Sequence, residues 1–297
     1  MWTECDIQKL NDRNAIVTGA NSGIGFETAR VLASKGTRVI LACRDIEKGK
    51  EAASRIQDAH PDAEIEVMTL DLSNLASVHT FADSFTSSSS TLDILCNNAG
   101  VMMIPKKTET ADGFEMQFGT NHLGHFALTG LLFDALRNTP GARVITVSSI
   151  MERFGKIDFE NLNSERKYNP SDAYSASKLA NLLFTYEMQR LLEGARMEML
   201  AASAHPGWTG TNLQRHAPFF RFMNRFVSQK PRMGALPTLY AATAPDVKGG
   251  NYLGPDRLMG MRGYPKNVKS SDASHNEEIA RSLWVVSEEL TGVRYDF

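Results

Sequence analysis

The sequence predicts an α/β fold built on a doubly wound parallel sheet, and three observations carry the prediction. Short apolar runs alternate with helical stretches from residue 15 to residue 203. Most of those runs are continuously apolar, as strands covered on both faces must be. The first run ends in a turn with three glycines, Gly19-Ala20-Asn21-Ser22-Gly23-Ile24-Gly25, that opens directly into a helix.

The elements follow in order. Ala15-Ile16-Val17 is the first strand, and Phe26 to Lys35 reads as a helix stopped by Gly36. Arg38 to Ala42 is the second strand. Ile46 to Ala59, rich in Glu, Lys and Ala, is a helix closed by His60-Pro61. Glu64 to Leu70 is the third strand and Leu75 to Phe85 the next helix. The serines from Ser87 to Ser90 form a solvated turn before a fourth strand, Leu92 to Cys96. Asp112 to Arg137 is expected to be one long helix, Arg143 to Val147 the fifth strand, Ser171 to Glu193 a helix, and Met197 to Ser203 the sixth strand. The region from Gly249 to Phe297 adds a last strand and a helix. Right-handed crossovers turn this alternation into a Rossmann-type sheet. No long polar linker or fixed repeat divides the chain, so residues 1–297 are expected to form a single domain with a small C-terminal extension on the substrate side.

Bulk properties narrow the function classes. The 297 residues are 42% hydrophobic and 22% charged, an ordinary globular balance. A net charge of −2 without a basic run predicts no attraction to nucleic acid or acidic membranes. Cys5, Cys43 and Cys96 are widely separated and form neither a metal-type pair nor a redox motif, which suits a reducing, cytoplasmic setting. Met1 to Asp12 is polar and charged, unlike a signal peptide, and no run of about 18 apolar residues is present to span a bilayer.

The glycine turn is a candidate dinucleotide cradle. Glycines let the backbone turn sharply and bring a pyrophosphate to the positive N-terminus of the following helix. The second strand ends Ala42-Cys43-Arg44-Asp45. A site for NAD usually places a carboxylate there for the ribose hydroxyl, whereas the extra phosphate of NADP calls for a cation. Cys43 stands where the acid would be expected, and Arg44, which follows it, can grip a phosphate with two bonds, so NADP is expected over NAD. The competing reading is a surface arginine paired with Asp45. Asp71 and Leu72, after the third strand, are candidates for the adenine, although Ser73 and Asn74 are also good helix caps.

Tyr174-Ser-Ala-Ser-Lys178 lies on the long helix of the second half, with the tyrosine and lysine four positions apart and so on one face. A nearby ammonium makes a phenol easier to ionise. A phenol of ordinary pKa near 10 needs such help to act as a base near neutral pH. Hydride transfer belongs to the nicotinamide, and the protein supplies orientation and a proton.

These pieces occur in a recognisable order: the glycine turn, Asn97-Asn98-Ala99-Gly100, Asn121, Ser148-Ser149, Tyr174-x-x-x-Lys178 and Pro206-Gly207. The sequence resembles the short-chain dehydrogenase/reductase family from about residue 12 to 212. His122-Leu-Gly-His125-Phe126 and His205-Pro206-Gly207 look like its subgroup of retinol dehydrogenases and protochlorophyllide reductases. The resemblance implies that Tyr174 is the general acid and base, with Lys178 lowering its pKa and binding the nicotinamide ribose. It gives Ser149, more than Ser148, the substrate oxygen, and Asn121 a proton-relay water. It sets Asn98, Ala99 and Gly100 beside the cofactor and Thr209 or Thr211, after Pro206-Gly207, at the carboxamide. The 25 positions from Ser149 to Tyr174 exceed those of many members. The polar insert, Ile157 to Asn169, is expected to pack near the first turn of the Tyr174 helix, shape the pocket rim and hinder pairing through that helix. A monomer or homodimer follows.

The substrate clues are apolar. Met102, Met103, Ile104, Met151 and Phe154 follow the cofactor and serine motifs, and methionines suit irregular ligands. Phe219, Phe222, Met223 and Phe226 share one helical face within a stretch, 207–230, that reads either as a lid or as a surface helix docked on its own core. His122 and His125 lack a further ligand at suitable spacing, so no metal is expected, and His205 reads as structural. The expected function is NADP(H)-dependent interconversion of an apolar or aromatic carbonyl compound and its alcohol. The alternatives are a non-catalytic NADP-sensing protein and a reductase of activated C=C bonds.

Overall fold

A computed structural model of the chain describes residues 1–210 and 228–297. Its centre is an eight-stranded sheet ordered β3-β2-β1-β4-β5-β6-β7-β8. The strands are β1 (Asn14–Thr18), β2 (Arg38–Cys43), β3 (Ile65–Thr69), β4 (Ile94–Asn97), β5 (Arg143–Val147), β6 (Leu200–Ala204), β7 (Tyr252–Arg257) and β8 (Arg262–Asn267). Neighbours from β3 to β7 pair in parallel, and only β7 and β8 run antiparallel.

The period of two along each strand builds two cores at once. Ala15 and Val17 of β1 join one apolar cluster, with α1 (Gly23–Ser34), α2 (Ile46–Ala59) and a later helix, Pro231–Thr243. Ile16, between them, joins the other, with α3 (Leu75–Ser88), α5 (Gly124–Leu131) and α7 (Pro170–Gly194). Val39 and Leu41 of β2 split from Ile40 in the same way. Both faces of the sheet are therefore dry, which is why its strands read as unbroken apolar runs.

Two departures from the sequence reading have local causes. The expected helix from Asp112 to Arg137 is broken into α4 (Met116–Phe118), a π-helical turn (Gly119–Leu123), α5, and α6 (Phe133–Arg137). Gly113 at φ +84° belongs to a turn in which the Thr110 hydroxyl accepts the N–H groups of Asp112 and Phe114. Glu115 then caps the helix by accepting from the backbones of Gln117 and Phe118. Leu132 leaves helical geometry at φ −93°, ψ 3°. The C-terminal region supplies two strands, where one was expected, framed by α8 (Pro231–Thr243) and α9 (Glu277–Thr291). β8 follows β7 after a tight turn and covers the sheet edge.

The order of β1 and β4 places a topological switch point at their carboxyl ends, where α/β sheets bind ligands. α7 is fixed beside that point. Asn169 caps it, its Oδ1 accepting the N–H groups of Ser171 (2.8 Å) and Asp172 (3.2 Å), and Pro170 occupies the first turn. Among the described residues no helix is long and apolar enough to cross a membrane.

Candidate active site

A cleft of about 680 Å3 opens over the carboxyl ends of the central strands. Gly19, Asn21, Ser22, Gly23, Ile24 and Gly25 line one end, together with Arg44, Asp71 and Leu72. Asn98, Ala99 and Gly100 line its middle, and Ser149, Tyr174, Lys178, Pro206, Gly207 and Thr209 its other end. Thr211 and the aromatic stretch Phe219 to Phe226 lie outside the described residues.

The glycine end is built for close approach. Gly19 and Gly23 have φ of +67° and +60°, open to glycine at little cost. A Cβ on Gly25 would come within 2.6 Å of the Gly19 carbonyl oxygen, so the two arms of the turn meet closely because Gly25 has no side chain. Ser22 makes no side-chain cap on α1, which leaves the first N–H groups of a 12-residue helix facing the cleft. The donors and the shape fit a dinucleotide pyrophosphate.

Thr18, at the end of β1, organises the neighbouring strand. Its hydroxyl accepts the N–H groups of Asn98 and Ala99, both at 2.9 Å, and the Asn98 amide donates to the Thr18 carbonyl at 2.7 Å. His125 lies 2.9 Å from the same hydroxyl through Nε2, and its Nδ1 donates to the Asn121 carbonyl at 3.0 Å. Nε2 is then the acceptor, and burial pushes the imidazole down to about 4, so it stays neutral. The role of Thr18 was invisible in sequence because it depends on the pairing of β1 with β4.

Arg44 is exposed and turned to the cleft. Its sequence neighbour Asp45 is not its partner: the carboxylate caps α2 and pairs with Lys48 at 2.6 Å. Among the described residues Arg44 forms no ion pair, and residues 211–227 contain no acidic side chain. Cys43 is buried against the glycine turn, where burial pushes its thiol up to about 11. Asp71 accepts from the Ser73 backbone and hydroxyl, while Asn74 caps α3, so the cap and the cleft wall are served by different residues.

At the other end the residues of α7 meet those after β5. The Ser148 hydroxyl donates to the Lys178 carbonyl at 2.7 Å and is used in joining strand to helix. Ser149 lies beside Tyr174 in the cleft wall. Lys178 Nζ donates to the Val147 carbonyl at 3.0 Å and lies 5.9 Å from the centre of the Tyr174 ring. Burial dominates both titrations. It pushes the phenol up to about 12, against a smaller opposing effect of the neighbouring Ser149 hydroxyl, and the ammonium down to about 8. The expected depression of the phenol by the lysine is thus not found; burial raises it instead.

Asn121 does not line the cleft. It is fully buried in the π-helical turn, accepting from Val101 N–H at 2.8 Å and donating to Val101 carbonyl and Ser177 Oγ, both at 2.9 Å. Gly100 lets it approach the lysine: a Cβ there would be 3.0 Å from Asn121 Oδ1 and 3.6 Å from Lys178 Nζ.

The wall beyond is apolar. Met102, Met103, Ile104 and Met151 line it as the sequence suggested, whereas Phe154 is 75% exposed and faces away. The 3-10 turn Ile150–Phe154 sends Met151 inward and Phe154 outward. Trp208 and Met261 also line the cleft. Met261 comes from the turn between β7 and β8, in a region whose local sequence carried no site signal. The insert before α7 reaches the rim: Tyr168 donates to the Ile104 carbonyl at 2.6 Å, and Ile157 packs in the cluster that contains Leu179.

The sequence model of the short chain dehydrogenase family matches residues 13–218. The chain belongs to the short-chain dehydrogenase family. Retinol dehydrogenase 11 of Homo sapiens is 42% identical over 293 residues, covering 97% of this chain and 88% of that protein. Retinol dehydrogenase 14 of Mus musculus is 41% identical over 303 residues, covering 96% of this chain and 87% of that one. A crystal structure of an uncharacterized protein from Mycobacterium Paratuberculosis superposes with a TM-score of 0.85 at 42% identity, over 100% of this chain and 99% of that chain. The RhlG/NADP active-site complex of Pseudomonas aeruginosa aligns at TM-score 0.65 and 25% identity, over 82% of this chain and 94% of that chain. As a short-chain dehydrogenase the chain is an oxidoreductase acting on CH–OH groups with a nicotinamide cofactor.

Proposed function

We propose that the chain reduces an apolar carbonyl compound to its alcohol, and catalyses the reverse, with NADP(H) as redox partner and Tyr174 as general acid and base. The observation that carries the reading is the meeting of Tyr174, Ser149 and Lys178 in the same cleft as the glycine cradle and the exposed Arg44. The names of the relatives suggest a retinoid, and the apolar wall from Met102 to Ile104 suits a polyene chain.

The nicotinamide supplies or accepts the hydride when bound. The chain's own residues would do the rest. The backbone N–H groups of α1 and the side chains of Asn21 and Ser22 would hold the pyrophosphate, and Arg44 the 2′-phosphate. Ser149 would donate to the carbonyl oxygen, where negative charge develops during reduction. Tyr174, kept protonated by burial, is poised to hand its proton to that oxygen. Lys178, cationic below about 8, favours the phenolate left behind and so eases the reverse reaction. Asn121, held rigidly behind Gly100, would keep the lysine in register.

NADPH oxidation with retinal and a panel of shorter aldehydes, comparing wild type with Tyr174→Phe, tests this. The variant is expected to lose about 100-fold or more in kcat while keeping NADPH binding. Equal turnover by both proteins would refute the role of Tyr174.

A further inference from the structure

A second cleft of about 340 Å3 lies beyond the wall of the first and shares only Ile150 with it. Arg153, Lys266 and Lys269 line it, with Asp256 the only carboxylate in the lining. Two buried groups, His205 and Tyr252, each 3% exposed, are also in that lining. Among the described residues the Tyr252 hydroxyl has no hydrogen-bond partner. Ser148 Oγ, which donates to the Lys178 carbonyl, lies nearby but outside hydrogen-bonding geometry with the Tyr252 hydroxyl. A buried hydroxyl left without a partner is costly, so one carried by a residue that lines a cleft is placed for a ligand.

The polarity of the lining selects the ligand. Gly207 N–H donates to His205 Nδ1 at 3.3 Å, which leaves the ring proton on Nε2. Burial holds this imidazole neutral, so Nε2 is a donor. Gly254 makes room for it, since a Cβ there would overlap Nε2 at 2.0 Å. Tyr252 is likewise a donor. Arg153 is anchored to the Lys269 carbonyl at 3.0 Å, and its charge faces the buried Glu152 at 3.9 Å. Glu152 is itself satisfied by the backbone and hydroxyl of Ser271. Asp256 accepts from the Tyr264 backbone and lies 3.9 Å from Arg257. Lys266 and Lys269 form no ion pair among the described residues, and residues 211–227 offer no carboxylate.

We infer that this cleft binds an oxyanion, a phosphate or carboxylate group, through the Tyr252 hydroxyl, His205 Nε2–H and the Lys266 and Lys269 ammonium groups. The site lies behind Ile150, the residue that follows Ser149, and behind His205-Pro206-Gly207, which bounds the catalytic cleft. An anion there would steady both segments.

The test titrates the whole chain, saturated with NADPH to block the cofactor cleft, with inorganic phosphate by calorimetry. A saturable site is expected, weakened about tenfold or more in Tyr252→Phe and in the surface variant Lys266→Ala/Lys269→Ala. The surface variant loses no buried group, so it serves if Tyr252→Phe folds poorly. Sedimentation with phosphatidate vesicles distinguishes a lipid headgroup from a free anion as the source. Vesicle binding lost in the lysine variant assigns the headgroup, and phosphate binding without vesicle binding assigns a free ligand. No binding to either probe, or binding indifferent to both variants, overturns the inference.

Discussion

Replacing Lys178 by methionine should stabilise the chain while disabling it. The ammonium is buried, and burial moves its pKa from the usual 10.5 to about 8. Holding the proton in the folded state below pH 8 therefore costs on the order of 3 kcal/mol. The thioether side chain of Lys178→Met would keep most of the volume and remove that charge. The loss is one hydrogen bond, from Nζ to the Val147 carbonyl, worth about 1 kcal/mol. That carbonyl remains paired, because the Asn181 amide donates to it at 3.1 Å. The net expectation is a gain of about 2 kcal/mol near neutral pH, or roughly 4 °C in Tm for a chain of this size. The gain should also depend on pH. Between about 8 and 10.5 the unfolded lysine holds a proton that the folded one has released, so the stability of the wild type rises with pH across that window. Thermal unfolding of the two cofactor-free proteins from pH 7 to 10.5 should show the difference shrinking toward zero or reversing. A variant less stable at pH 7, or a difference unaffected by pH, would refute the assignment of a destabilising, buried cation. Carbonyl reduction by the variant should fall with the loss of the cation beside Tyr174.

Further outcomes can be checked with standard assays. Arg44→Ala should raise the KM for NADPH about 10- to 100-fold and leave that for NADH nearly unchanged, as measured by steady-state kinetics with both. Because burial holds the Tyr174 phenol near 12, the reduction rate limited by this acid should be flat through neutral pH and fall only on the alkaline side, in a pH profile of kcat. Thr18→Val preserves shape but strips the acceptor from Asn98 and Ala99 N–H, and should cost about 2–4 kcal/mol in denaturant unfolding.

What could be read in the chain, and what could not, divides along the range of the interactions. α2 was expected over Ile46 to Ala59 and is found there, because Asp45 caps one end and His60-Pro61 closes the other. Five central strands were legible from apolar runs alone, since burial on both faces needs no knowledge of the partner. The helix expected over Asp112 to Arg137 failed because its breaks rest on Thr110, Glu115 and a π-helical turn, features that apolar periodicity does not register. β8 failed for a related reason: Arg262–Asn267 is polar and only half-covered, so its strand character comes from pairing with β7.

The site shows the same division. The glycine turn, Arg44, Tyr174 and Lys178 were named from their types and spacing and Ser149 from the family resemblance, and the fold gathers them in one cleft. Local sequence determined these groups because turns, caps and i,i+4 faces are set within a few residues. Tertiary structure alone decided which serine is used in joining β5 to α7, how far Asn121 lies beneath the surface, and that Met261 reaches the cleft from the far end of the chain. It also decided the charge states, since desolvation depends on everything packed around a group, and the segments that bury Tyr174 and Lys178 are distant in sequence.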